Sequence, residues 1–312
     1  MNPDAISAMP EPVVSFLVLC GDNARYLREC VQSILGQSFI DTEVLLLEDV
    51  AGSEAAGLAQ AWANLDTRVR AIRLERFETL SDLWNEGIAQ SRGDLLWLMS
   101  GEHCLASPNV AQDFVTQFIL APSLGFAFCR AQALDEHSTP YETYFPHKKD
   151  SDLPYQPTLF PGKLFFSQLL RENPLPAPAV LCRKACYEQV GGFHSHVAEN
   201  GEWLNWLRFS LDWDVFFDPE PKVYSRQPRA FRVARTKTPE ALADMLHCYQ
   251  ALEQYIQAGN YPKSFRRQAE LARLQFMRRK GMRMSVAEQV RRLYRKLTAG
   301  SFERRPIDFN PA

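Results

Sequence analysis

Between Leu95 and Pro108 the chain reads Leu-Leu-Trp-Leu-Met-Ser-Gly-Glu-His-Cys-Leu-Ala-Ser-Pro. The apolar run 95–99 predicts a buried strand that ends in a small polar turn, Ser100-Gly101-Glu102-His103, before a helix starting near Pro108. Ligands of an open α/β sheet bind outside the carboxyl ends of its strands, so a hydroxyl, a carboxylate and an imidazole just past such an end face a cleft. This turn is the first candidate site. Cys182 and Cys186 lack the two-residue spacing and the nearby ligand pair of a zinc site, and read as packing residues.

A strand end does chemistry only if its neighbours end beside it. Val13–Leu19 is a continuous apolar run rich in β-branched residues, the pattern of a strand buried on both faces. Tyr26, Leu27, Cys30, Val31, Ile34 and Leu35 recur at helical spacing, with Asp22 or Asn23 able to cap the start. Glu43–Leu47 predicts the second strand, closing on the acidic pair Glu48-Asp49, and a helix falls within 53–65. Val69–Leu74 reads as a third strand. Thr79-Leu-Ser-Asp82 has the form of a capping box, opening a helix that carries Leu80, Leu83, Trp84, Gly87 and Ile88 inward. A helix over 109–120 and an alternating strand over 125–129 follow. Strands alternating with helices predict the α/β class, with a mostly parallel, doubly wound sheet.

Between Leu134 and Gly162 five prolines interleave with five aromatic residues and no period survives, which predicts a long loop of the functional kind. Order returns with a helix over 163–170, a strand over 180–183, a helix over 184–190 and the turn Gly191-Gly192-Phe193. A helix over 202–211 and two late strands, 215–217 and 222–225, complete the body. From Pro239 the pattern is helical, first 240–258 and then basic helices to about 297. The break falls within 227–238, giving a body of 1–230 and an extension of 231–312.

With 312 residues, 46% of them apolar, the chain can bury a large core. Seven scattered cysteines fit reduced thiols, no apolar run approaches a bilayer span, and the first twelve residues lack export features, so a cytoplasmic place is expected. The net charge of −2 hides an asymmetry: fourteen Lys and Arg against three Glu over 263–305, a balance of +11 against −13 for the rest. Such a tail suits an anionic membrane surface or a solvated face docked on the acidic body. It lacks the interleaved aromatics of a nucleic-acid binder, so that partner is not expected.

The order of these pieces resembles family 2 glycosyltransferases of the GT-A fold. The resemblance rests on Tyr26-Leu-Arg-Glu-Cys-Val-Gln-Ser-Ile-Leu-Gly-Gln37, on Glu48-Asp49, and on Leu80-Ser-Asp-Leu-Trp-Asn-Glu-Gly-Ile88 with Arg92-Gly93-Asp94. It continues in Val190-Gly-Gly-Phe193 and Gly201-Glu-Trp-Leu-Asn-Trp-Leu-Arg208, covering residues 13 to 226. It implies a GT-A, Rossmann-like sheet flanked by helices. It also implies a nucleotide-diphosphate sugar held by Cys20, Gly21, Asp22, Glu48, Asp49, Asn85, Ser100 and Arg226, with Glu202 as the base that deprotonates a hydroxyl acceptor.

The turn at Ser100-Gly-Glu102 occupies the family's Asp-x-Asp position, where carboxylates hold Mn²⁺ or Mg²⁺ against the diphosphate. Glu102 can serve there, with Ser100 or His103 helping. Trp84 replaces the family's usual Arg, and Pro228 falls at or beside its usual His. Local readings compete at two positions: Asp22 as a simple helix cap, and Glu202 as a first-turn residue favoured by the helix dipole. The resemblance implies an inverting transferase of bacterial surface-glycan assembly, acting on a glycan or lipid-linked acceptor and peripheral to a membrane. The competing reading is a GT-A-shaped protein that binds nucleotide sugar or scaffolds a partner enzyme without catalysis.

Overall fold

The computed structural model describes residues 11–49, 52–73, 77–135, 137–145, 153–171, 173–226 and 238–280. Its centre is β1 (Val14–Leu19), buried throughout and flanked in parallel by β2 (Thr42–Leu47) and β4 (Leu95–Ser100), with β3 (Val69–Ile72) outside β2. Three helices join these strands: α1 (Ala24–Leu35), α2 (Glu54–Leu65) and α3 (Leu80–Gln90). The Asn23 carboxamide, not Asp22, caps α1 by accepting from the Tyr26 amide at 3.2 Å. The capping box of α3 is present between Thr79 and Asp82. Leu80, expected inward, is exposed on the first turn of that helix. Trp84 is buried and stacks on Phe193, so it is a core residue.

The second half of the sheet is mixed. β9 (Val180–Arg183) lies antiparallel between β4 and β6 (Leu124–Leu134), and β10 (Asp214–Ser225) returns parallel to β6. β6 is buried on both faces instead of alternating, because α4 (Val110–Leu120) packs below it while α5 (Gly162–Leu169) and α7 (Gly201–Phe209) pack above. The two late strands are one: β10 runs on through register shifts beside Pro221, where a proline ring interrupts the ladder. Part of the expected loop is also strand. β7 (Pro140–Phe145) pairs with β6 and β8 (Thr158–Phe160) with β10, pieces too short to show a period. β5 (His103–Leu105) folds the candidate turn back onto the end of β10.

Leu17, Leu45, Leu96, Phe126 and Phe217 fill the core on one side of the sheet; Phe16, Val44, Trp97, Ala127 and Phe216 fill the other. The first side continues through α6 (Lys184–Val190) and α7 into α8 (Pro239–Ala258) and α9 (Lys263–Arg279), whose Cys248, Tyr249, Leu252, Phe265 and Ala269 join it. Two cations of the basic extension are tied down there, Arg273 to Glu253 and Arg266 to Glu270. The body–extension break, Pro228 and the basic residues beyond 280 lie outside the described residues. All seven cysteines are buried free thiols, and among the described residues no helix is long and apolar enough to cross a membrane.

At the edge opposite the candidate turn, Glu43 is a charged residue buried in β2. It accepts from the Ser15 hydroxyl at 2.7 Å, the Arg92 amide at 2.6 Å and the Arg92 guanidinium at 2.9 Å. The Ser15 hydroxyl in turn accepts from the Gly93 amide at 2.9 Å. Arg92-Gly93 therefore staples β1, β2 and β4 together. Burial pushes the Glu43 carboxyl up, but these hydrogen bonds outweigh burial and hold it below its ordinary value. A depressed carboxyl stabilises the fold above the ordinary carboxylate range and loses that contribution as pH falls through the folded value. Glu43→Gln is expected to cost about 2 kcal/mol near neutral pH, with the gap to wild type closing in acid. Urea midpoints at neutral and acidic pH measure it.

Candidate active site

Three strands end side by side. Leu19 is paired in register with Leu47 on one flank and Ser100 on the other. Past those ends the backbone stays tied: the Cys20 amide donates to the Leu47 carbonyl at 3.0 Å and the Gly101 amide to the Leu19 carbonyl at 2.8 Å. The Gly21 amide donates to Asp49 Oδ1 at 2.7 Å. Gly21 takes a left-handed φ of 67°, which only glycine adopts without strain. Gly101 is required for space, since a Cβ there would stand 2.9 Å from the Cys20 carbonyl oxygen. The result is a cleft of about 220 Å³ lined by Cys20, Gly21, Asp22, Asp49, Ser100 and Glu102, with Leu19, Asn23 and Gly101.

The cleft is acidic. Burial raises the Glu102 carboxyl above its ordinary value, the Asp22 charge raises it further, and Arg226 opposes both. The Asp22 charge and the Glu102 carboxyl whose ionisation it disfavours form an oxygen-donor set that a hard divalent cation relieves. Among the described residues, no group of three His, Cys, Asp or Glu is arranged to hold a metal alone. The protein residues thus fit an ion that takes its remaining ligands from phosphate and water, as Mg²⁺ does. Burial, with Asp49 and Glu48 adding to it, pushes the Cys20 thiol far up, so it stays protonated.

Several expected residues are not in this cleft. His103 is buried beneath the turn, where its Nδ1 accepts the Ser100 amide at 3.0 Å and lies 3.1 Å from the Ser100 hydroxyl. Burial and Arg226 lower its pKa to about 3, so this neutral imidazole braces the turn and is not placed as a metal ligand. Glu48 is buried and engaged with Gln60 at 2.6 Å and Arg73 at 3.8 Å. Arg226, expected at a phosphate, is buried over the Tyr26 ring and bonded to Glu29 and Ser138. Asn85 clasps Phe193, accepting from its amide at 2.7 Å and donating to its carbonyl at 3.0 Å.

Glu202 does not line the cleft either. It is half-buried on the first turn of α7, and its charge adds to the burial that raises the Tyr187 phenol's pKa. The loop that delivers it is held by a residue the sequence reading missed. Asp244 of α8 accepts from the amides of Ala198, Glu199 and Asn200 at 2.6, 3.1 and 2.9 Å, and from the Asn200 carboxamide at 2.7 Å. A signal existed: Ala241, Asp244, Cys248 and Leu252 share the buried face of α8, and an acid on an apolar stripe needs a partner. Arg208, equally buried, donates to the Val190 and Gly192 carbonyls at 3.1 Å each.

With this geometry in view, comparison with known proteins is direct. The sequence profile described as "Glycosyl transferase family 2" matches residues 15–159, the segment that carries the whole cleft. Over these residues the chain is similar to glycosyl transferase family 2. The O-antigen biosynthesis protein RfbC of Myxococcus xanthus is 26% identical over 144 residues, 46% of this chain and 11% of RfbC. The succinoglycan biosynthesis protein ExoO of Rhizobium meliloti is 32% identical over 93 residues, 30% of this chain and 26% of ExoO. The chain spans 11%, 25% and 28% of the length of the first three curated relatives it matches.

Two solved GT-A structures share the fold of this chain at 12% identity. The mannosyltransferase PcManGT of Pyrobaculum calidifontis, in complex with GDP-Man and Mn²⁺, superposes with a TM-score of 0.60 over 93% of this chain and 80% of its own. S. aureus TarS 1-349, in complex with UDP-GlcNAc, gives 0.61 over 85% and 72%.

The close approach at Gly101 predicts a cost for any side chain there. Gly101→Ala should destabilise the fold by about 1–3 kcal/mol, because the Cys20 carbonyl and the Leu27 backbone must move. Gly57→Ala, on the open side of α2, should be neutral or stabilising by up to about 1 kcal/mol. Denaturant midpoints of the two variants against wild type measure the contrast.

Proposed function

We propose that this chain transfers a sugar from a nucleoside-diphosphate sugar to a hydroxyl of a glycan or lipid-linked acceptor in bacterial surface-glycan assembly, with inversion. The observation that carries the reading is the convergence of Asp22, Asp49 and Glu102 in one cleft at the carboxyl ends of three parallel strands. Support also comes from the O-antigen and succinoglycan biosynthesis relatives and from the nucleotide sugars held by the two GT-A neighbours.

Asp49 spends Oδ1 on the Gly21 amide, which fixes the carboxylate and leaves Oδ2 to accept a ribose or base donor. Glu102 and Asp22 would hold a divalent cation, Mn²⁺ or Mg²⁺, together with the diphosphate. Such an ion, when bound, neutralises the charge of the leaving group. Ser100 is braced by His103 and lines the cleft wall. Glu202 removes the proton of the acceptor hydroxyl as that oxygen attacks the anomeric carbon, and the diphosphate leaves from the opposite face. Arg208, Asn85 and Asp244 keep the segment 190–202 in place for this step.

One observation favours the binding-only alternative: Arg226 is spent on Glu29 and Ser138. Kinetics separate the two readings. Purified protein given UDP- and GDP-sugars with Mn²⁺ should bind one donor and hydrolyse it slowly. EDTA or Glu102→Gln should weaken binding. Glu202→Gln should lower transfer by roughly 10² to 10⁴-fold with donor affinity unchanged. Binding with no turnover under any acceptor would favour the binding-only protein, and no binding of any donor would overturn both and favour the non-catalytic scaffold.

A further inference from the structure

Helix α9 carries two stripes at one helical spacing. Phe265, Ala269, Ala272 and Phe276, at i, i+4, i+7 and i+11, pack into the core that α7 and α8 share. Arg267, Leu271, Leu274 and Arg278 repeat that spacing on another face, where Leu271 is 49% and Leu274 45% exposed. Core packing accounts for the first stripe and not for the second. Beside it, the Ser167 hydroxyl of α5 donates to Gln268 Oε1 of α9 at 2.7 Å. Leu164, 70% exposed, stands one helical turn from Ser167, and Leu271 one turn from Gln268. The three leucines therefore share one surface. Single exposed apolar residues are ordinary, whereas a group of them marks a contact.

The charge around these leucines is of one sign. Glu270 is the sole acid of α5 and α9, and Arg266 pairs with it at 3.2 Å; Arg273 is spent on Glu253. Lys163, Arg171, Arg267, Arg278, Arg279 and Lys280 are exposed, and none of them forms an ion pair among the described residues. The sequence of residues 281–312 continues the excess, with seven Lys and Arg against three acids. Exposed leucines inside a ring of unpaired cations match the boundary between acyl chains and anionic headgroups: the apolar tips enter the hydrocarbon while the long cationic side chains reach back to the lipid phosphates. A nucleic acid would satisfy the cations and leave the leucines facing water.

We infer that this face of α5 and α9 docks on an anionic lipid bilayer, with Leu164, Leu271 and Leu274 inserted at the headgroup boundary and the surrounding Lys and Arg on lipid phosphates. The docking face is bonded to the helix of the candidate base, since Trp203, the residue after Glu202, donates its indole N–H to the Leu169 carbonyl of α5 at 3.0 Å. The lipid surface stands on its own residues. Its use, to bring a lipid-linked acceptor toward Glu202, rests on the transferase reading above.

Vesicle flotation of the full chain tests the assignment, with liposomes of phosphatidylcholine alone or with roughly one-third phosphatidylglycerol, and with UDP binding as the reporter of the donor cleft. The chain should float with the anionic vesicles about tenfold or more better than with the neutral ones, and less as salt rises. The double variant Leu271→Glu/Leu274→Glu should weaken that binding by about tenfold or more, and Arg267→Glu/Arg278→Glu likewise, both with UDP binding unchanged. Ile119→Glu/Leu120→Glu, at the exposed end of α4 on the other side of the sheet, should leave it unchanged. No vesicle binding alongside intact UDP binding overturns the docking face and spares the transferase reading. Binding undiminished in the leucine variant, or equally lost in the α4 variant, overturns it too. Polyuridine RNA bound more tightly than anionic vesicles makes the face a nucleic-acid surface and overturns the lipid assignment. Variant-sensitive vesicle binding with no UDP binding upholds the docking face and counts against the donor reading instead.

Discussion

The acidic cleft depends on one constraint, the parallel register that makes Leu19 the partner of both Leu47 and Ser100. Because β2, β1 and β4 end level, their loops leave the sheet together, and Asp49, Gly21 and Glu102 meet. A slip of one residue would turn every buried side chain of a strand to the other face, so the core itself locks the register. At the far edge the Glu43–Ser15–Arg92 network ties the same strands together. The two ends of the strands thus divide the work: one is hydrogen-bonded together and buried, the other carries close glycines and the carboxylates that line the cleft.

Much of this was legible in the sequence because it follows from periodicity. The strands of the first half, the cap of α3 and the turn at residue 100 stand where apolar runs and capping residues put them. The cleft residues Cys20, Gly21, Asp22, Asp49, Ser100 and Glu102 were named and lie together. What failed was side-chain direction. Glu48 and Asp49 are adjacent in sequence and leave the strand on opposite sides, so only one reaches the cleft. Arg226 and Asn85 carry chemistry-bearing groups that the fold spends on Glu29 and on Phe193. A pattern of residue types does not reveal such tertiary partners. The pairing of β7 and β8 was invisible for a different reason, since strands of three to six residues among prolines show no period.

The C-terminal helices matter to the site more than their charge suggests. Asp244 gathers three backbone amides and a carboxamide in the loop before α7. Arg208 and Asn85 grip the two sides of the Gly191-Gly192-Phe193 turn that leads into that loop. A β-carbon on Gly192, whose φ is 76°, would sit 2.4 Å from Asn85 Oδ1, so the turn meets this clasp as glycine. The position of Glu202 is thus fixed by groups from α3, α7 and α8 together, and the extension belongs to the same core as the sheet.

The most direct measurement is a crystal structure of the chain with UDP or GDP and Mn²⁺. The account predicts the diphosphate beside the Ser100–Glu102 turn, the nucleoside against Gly21 and Asp49, and the ion on Glu102 and Asp22. A nucleotide bound anywhere else, or an ion held by His103 or Glu48 in place of Glu102, would contradict it.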